Sequence, residues 1–143
     1  MLKPPSLRKQ LLAKVPGLKV DNLHTYISKG HIESNAHGTL SFEYSYTLEV
    51  ILTDFAGRSD VVMVAILQWL RANQPELLLK PEVMAERFTF EVDILNSGTC
   101  DIGINLKLTE RVGVKNVNGK NIIEHFAEPA LVDDTTIDPT WTI

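Results

Sequence analysis

Residues 40–53 read LSFEYSYTLEVILT. In this stretch Leu40, Phe42, Tyr44, Tyr46, Leu48, Val50 and Leu52 alternate with Ser41, Glu43, Ser45, Thr47, Glu49, Ile51 and Thr53. A period of two over this length predicts a long strand with one buried face, because successive side chains of a strand point to opposite sides of its sheet. The alternation returns at Phe88, Phe90, Val92 and Ile94 against Thr89, Glu91 and Asp93. It appears again at Ile102, Ile104, Leu106 and Leu108 against Asp101, Gly103, Asn105, Lys107 and Thr109. The link Asn96-Ser97-Gly98-Thr99 is short enough for an antiparallel hairpin, and Asn118-Gly119, between apolar stretches 112–117 and 120–126, signals a type I′ turn. The sheet is expected to be mostly antiparallel.

Working outward, residues 23–33 predict a further strand interrupted at Lys29-Gly30 by a bulge or turn, with Asn35-Ala36-His37-Gly38 turning the chain into the next one. Between the long strands, residues 59–74 predict a helix capped by Ser59 or Asp60 and stopped by Pro75. Val62, Ala65, Ile66, Trp69, Leu70 and Asn73 form its apolar stripe, while Val61, Met63, Val64 and Leu67 carry apolar character past it. A helix greasy on more than one side is covered by the sheet plus another segment of its own chain, or by a partner subunit. At the start, Ser6 follows Pro4-Pro5 and reads as the N-cap of a short helix with Leu7, Leu11 and Leu12, ending near Pro16-Gly17. The expectation is an α+β chain: an antiparallel sheet of four to five strands, one main helix across one face and a short N-terminal helix. Residues 1–126 are expected to form one domain and 127–143 a C-terminal arm. That arm has two prolines, yet Leu131, Val132, Ile137, Trp141 and Ile143 make it too apolar to be idle, so it is expected to dock on its own domain or on a neighbour.

A chain of 143 residues with 44% hydrophobic and 22% charged content has the composition of an ordinary globular domain, able to bury a core without metal or disulfide staples. Cys100 is the sole cysteine, and no charged-then-apolar leader opens the sequence, so a reducing cytoplasm is the expected compartment. The longest apolar run, residues 61–67, is seven long, well short of the ~20 a membrane-spanning helix needs. A formal charge of −4 and the lack of a lysine or arginine cluster interleaved with aromatics disfavour sequence-specific nucleic-acid binding. The charge is uneven: residues 1–20 carry Lys3, Arg8, Lys9, Lys14 and Lys19 and no acid, while residues 121–143 carry Glu124, Glu128, Asp133, Asp134 and Asp138 and no lysine or arginine. These ends are either simply solvated or matched head to tail between subunits of a ring.

Chemistry has little to work with. His24, His31, His37 and His125 lack metal-ligand spacing, and no nucleophile elbow or phosphate-cradling glycine loop is present. One constellation is acidic. Glu43, Glu49, Glu91, Asp93 and Asp101 share the non-core parity of their strands and so should project from one side of the sheet. That face is read as a plain wet sheet surface, as a channel lining that repels DNA phosphates, or, through Glu91 and Asp93, as the cation site of a metal-dependent nuclease or hydrolase. The preferred reading holds no metal, no cofactor and no catalytic residue. Interface candidates are Met63, Leu67 and Trp69 on the helix and Leu131, Ile137 and Trp141 on the arm.

Several blocks together carry a resemblance. They are Met1-Leu2-Lys3-Pro4 with Ser6-Leu7-Arg8, LSFEYSYTLEVILTDFAG at 40–57, WLRANQPELL at 69–78 and FTFEVDILNSGTCDIGINLKLTERV at 88–112. In this order and spacing they resemble the tail completion protein R family of Peduovirus-type contractile-tailed phages, over most of the chain. The resemblance implies a tail-terminator-like structural protein, made in the cytoplasm of a bacterial host and carried in the virion tail. It implies docking on the end of the tail tube where tail meets head. Partners implied are tube and head-tail connector proteins and copies of the chain itself in a hexameric ring. It brings no catalytic residue with it. The competing readings are the hydrolase above and a prophage-encoded protein-binding module serving the host.

Overall fold

The computed structural model describes residues 1–34 and 38–127. Its strands are β1 (Leu23–Ser34), β2 (Phe42–Phe55), β3 (Phe88–Ile94), β4 (Cys100–Val117) and β5 (Lys120–Phe126). Its helices are α1 (Lys3–Lys14), α2 (Ser59–Asn73) and α3 (Pro81–Arg87), with single 3₁₀ turns at Val20–Asn22 and Pro75–Leu78. The fold is α+β, with every strand pair antiparallel and the order β1-β2-β4-β3. Val112 of β4 pairs with Phe42 of β2 and also with His125 of β5. Strand β5 therefore runs along the same edge of β4 as β3, end to end with it.

The quoted alternation is β2. Tyr46, Leu48, Val50 and Leu52 stand opposite Leu108, Leu106, Ile104 and Ile102 of β4, and all eight are buried. Over them lie Leu7 and Leu11 of α1, Val15 just after it, and Val62, Ala65, Ile66, Trp69 and Leu70 of α2. Leu40 departs from the expectation: it precedes the first ladder residue, Phe42, and is exposed. The Lys29-Gly30 interruption is a bulge, with the β1–β2 register shifting between Ser28 and His31 and Lys29 at φ +53°. The Asn118-Gly119 turn has positive φ at both residues, as a type I′ turn requires. Of the turn expected at Asn35–Gly38, residues 35–37 lie outside the described residues.

Three local readings are corrected. Residues 102–108 and 112–117, which the sequence suggests as separate strands, belong to one strand of 18 residues. The residue that masks the continuity is Glu110, which takes the core parity between Leu108 and Val112 and is only 5% exposed. Neither Ser59 nor Asp60 caps α2; both already lie within the helix, and Arg58 occupies the cap position with no side-chain bond. Ser6 does not cap α1 either. That helix begins at Lys3, and its Pro4 and Pro5 have no N–H to satisfy. The two donors left over, Leu2 N and Lys3 N, both reach Glu110 Oε1, at 2.7 and 3.3 Å. The cap thus comes from a carboxylate on a distant strand, and negative charge is favoured at a helix N-terminus.

The same corner repairs the gap between β3 and β5, where residues 107–110 of β4 have no strand neighbour on that side. Side chains substitute for one. Arg87 donates from Nε and Nη2 to Lys107 O at 3.1 and 2.8 Å. The fully buried Gln74 accepts from Thr109 N at 3.2 Å, and Lys3 Nζ donates to Thr109 O and to Gln74 Oε1. The 3₁₀ turn and α3, neither expected from the sequence, carry the chain from Gln74 to the point where Arg87 can do this.

Glu110 Oε2 also accepts from Tyr46 Oη at 2.7 Å. Burial, followed by this bond and the charge behind it, raises the Tyr46 phenol well above its ordinary range. Because the folded pKa exceeds the unfolded one, the protonated phenol stabilises the fold at neutral pH. Wild-type stability should therefore fall as pH rises above the free tyrosine value of about 10, and Tyr46→Phe should lack that component. Urea unfolding at neutral pH should show a loss of about 2 kcal/mol for Tyr46→Phe. The loss should reach about 3–5 kcal/mol for Glu110→Ala, which strands the buried Lys3 N–H and Tyr46 hydroxyl and frees the Leu2 N–H.

Candidate docking surfaces

The register places Glu43, Glu49, Glu91, Asp93 and Asp101 on the sheet face away from the helices, opposite Arg111, Asn105, Gly103, Asp101 and Asp93 respectively. Three of the five carboxylates are engaged within the chain. Glu43 pairs with Arg111 at 3.3 Å. Glu49 accepts from Tyr26 Oη at 3.0 Å, and that bond raises the Tyr26 phenol. Asp101 Oδ1 accepts from Asp54 N at 2.8 Å, holding the β2 irregularity where Asp54 has φ +50°. Glu91 and Asp93 stand exposed on β3. Lys107, opposite Thr47, and Arg111 share this face, so it is mixed in charge rather than carboxylate alone. The polar parity of the sequence already held Lys107, and the pairing register adds Arg111 beside Glu43.

On the other side, the sheet and α1 cover the apolar stripe of α2, while Val64 stays exposed. That stripe faces the sheet and α1 lies along it, with Trp69 Nε1 donating to Ser6 Oγ at 3.0 Å and Gln10 Nε2 to Ala65 O at 3.4 Å. Trp69 is consequently 4% exposed and belongs to the subunit's own core, a correction to its expected place on an interface. Met63 packs partly against the core, Leu67 is half-buried, and Val64 beside them is exposed. Leu131, Ile137 and Trp141 lie outside the described residues.

The larger uncovered apolar surface lies where the sequence predicts a buried face. Phe90, Val92 and Ile94 of β3 oppose Ile104, Ile102 and Cys100 and so point to the helical side, yet they are 60%, 42% and 81% exposed. The two helices cover β2 and β4 and stop short of the edge strand. At the opposite edge, Ile27 and Ile32 of β1 point the same way and are 40% and 60% exposed. Beyond Val112 the β4–β5 hairpin leaves β2 behind and exposes Val117, Ile122, Ile123 and Phe126.

The sequence profile of the P2 phage tail completion protein R family matches residues 1–129. The chain belongs to that family. Tail completion protein R of Escherichia phage P2 is 44% identical to it over 131 residues, covering 90% of this chain and 84% of that protein. No solved structure matches. The family match takes in every described strand and helix, so the buried Glu110 corner, the bare sheet edges and the projecting hairpin all lie inside the part shared with the R family.

Among the described residues, no three His, Cys, Asp or Glu side chains converge as metal ligands, and no helix is long and apolar enough to cross a membrane. Asp93 faces Asp101, whose carboxylate already serves the Asp54 backbone. Millimolar Mg²⁺ or Mn²⁺ is therefore expected to leave the melting temperature unchanged in differential scanning calorimetry. A rise that Asp93→Asn removes would reinstate the hydrolase reading.

Proposed function

We propose that this chain is a non-catalytic structural subunit that completes a contractile phage tail by docking on the end of the tail tube, where the tail joins the head. One observation carries the reading: 44% identity over 90% of the chain to a protein called tail completion protein R. The surface chemistry supports it. Apolar side chains stand bare along both sheet edges and on the hairpin, while the ionisable groups on the outer face are mostly matched to one another, which suits a protein that works by contact. In this reading copies assemble as a ring, hexameric by likeness to tail terminators, against tube and head-tail connector proteins. Assembly takes place in the host cytoplasm, and the product remains in the virion tail. The mixed outer face, acidic along β3, looks toward the DNA channel, where Glu91 and Asp93 discourage adhesion of phosphates. Residues 127–143 act as an arm, with Leu131, Ile137 and Trp141 as its anchors.

Deleting the gene from the phage that encodes it should leave filled heads and unattached tails in infected cells, countable by electron microscopy, with infectious particles restored by the gene supplied in trans. Finished virions in normal number from the deletion strain would sink the proposal.

A further inference from the structure

We infer that β3 of one copy pairs with β1 of the next, so that the two free edges of the sheet are the two halves of one interface between copies. The inference deepens the ring reading above and rests on it for its biological setting, but its evidence is the geometry of the sheet.

Among the described residues, β1 and β3 are the outer strands of the path and neither has a neighbour on its outward side. Natural edge strands are usually blunted by proline, lysine or a bulge. Strand β3, FTFEVDI, has none of these, and its ladder to β4 runs unbroken over seven positions, about 23 Å of backbone. The opposite edge offers a matching length. The ladder of β1 is regular from Leu23 to Ser28, six positions, and resumes from His31 to Ser34 after the bulge at Lys29-Gly30.

Direction and sidedness agree as well. Since each neighbouring pair is antiparallel in the order β1-β2-β4-β3, β3 runs opposite to β1. A second copy set beside the first in the same orientation therefore presents β1 antiparallel to β3, and the sheet continues without a break in pattern. In that arrangement the helical sides of both copies coincide. Phe90, Val92 and Ile94 then meet Ile27 and Ile32, all exposed in the single subunit. On the outer side Glu91 and Asp93 meet an edge carrying His24, Tyr26 and His31, the last bonded to Glu33, with Lys29 at the bulge.

Charge selects this pairing over the symmetric alternative. Two β3 edges related by a two-fold axis would also be antiparallel, but would set Glu91 and Asp93 against their own copies. A contact between β3 and β1 avoids that repulsion. A contact between different edges is head to tail, and it closes into a ring when the rotation per copy allows.

The test uses the full-length chain and light scattering coupled to size exclusion. Val92→Lys with Ile94→Lys disables the β3 edge, and Ile27→Lys with Ile32→Lys disables the β1 edge. Ile27→Lys alone serves if that second pair unfolds, with circular dichroism confirming the fold of each. Wild type should associate with rising concentration, and each variant alone should do so about 100-fold more weakly. Mixing the two variants should restore association but stop it at a 1:1 pair, because one good β1 edge and one good β3 edge remain. Wild type that stays monomeric up to about 1 mM, or a mixture that stays monomeric, overturns the inference. So does association that survives either variant, which would point to a β3–β3 contact, to residues 128–143 or to another surface. The deletion phenotype is read independently, so tail completion stands or falls separately from this interface.

Discussion

A single carboxylate, held in the core of the sheet, joins elements that are far apart in the chain. Glu110 receives the backbone of Leu2 and Lys3 and the hydroxyl of Tyr46, so the first helix, the central strand and the longest strand meet at its two oxygens. Fixing the start of α1 in this way sets where Leu7, Leu11 and Val15 come down on the sheet and where Ser6 receives the Trp69 indole. Lys3, delivered by the same helix, bonds Gln74 and the Thr109 backbone that no strand pairs on that side, and Arg87 continues the repair at Lys107. Buried polar groups are costly when unmatched, so this corner has one workable arrangement and acts as a registration point for the layer above the sheet.

The width of that layer has consequences. Two helices lie over β2 and β4, and the sheet is wider than they are. The strands at its edges consequently keep apolar side chains on the helical side with nothing from the described chain above them. In a finished monomer this would invite unwanted association. In the reading proposed above the same surplus is a means of assembly, and the projecting β4–β5 hairpin, apolar on both faces, adds to it. The outer face shows the opposite economy of charge: Glu43 with Arg111, Glu49 with Tyr26 and Asp101 with the Asp54 backbone are settled inside the subunit, leaving Glu91 and Asp93 at the rim.

Strand existence, strand parity and antiparallel pairing were all legible in the sequence, because alternation and turn chemistry are local: Tyr46 to Leu52 and Ile102 to Leu108 needed only their own neighbours to be read. The Lys29 bulge and the Asn118-Gly119 turn were equally plain. Misreadings arose wherever a distant residue intervened. Ser6 looked like a helix cap until Glu110 supplied one to Leu2 and Lys3 from 108 and 107 positions away, and Glu110 itself looked like a strand end because a charge stood where a leucine would have continued the pattern. Short α3 offered too few residues for its periodicity to show.

The sequence by itself determined which residues alternate, where the chain turns and, through its long-range likeness to the R family, what class of protein this is. Only the tertiary structure decided which of the apolar faces are covered. Alternation says that Phe90, Val92 and Ile94 share a side of a strand, but burial depends on whether another element lies over that side, and the helices end one strand too soon. The reverse happened at Trp69, which α1 closes over. Coverage is a property of how layers are stacked, and no local pattern encodes it.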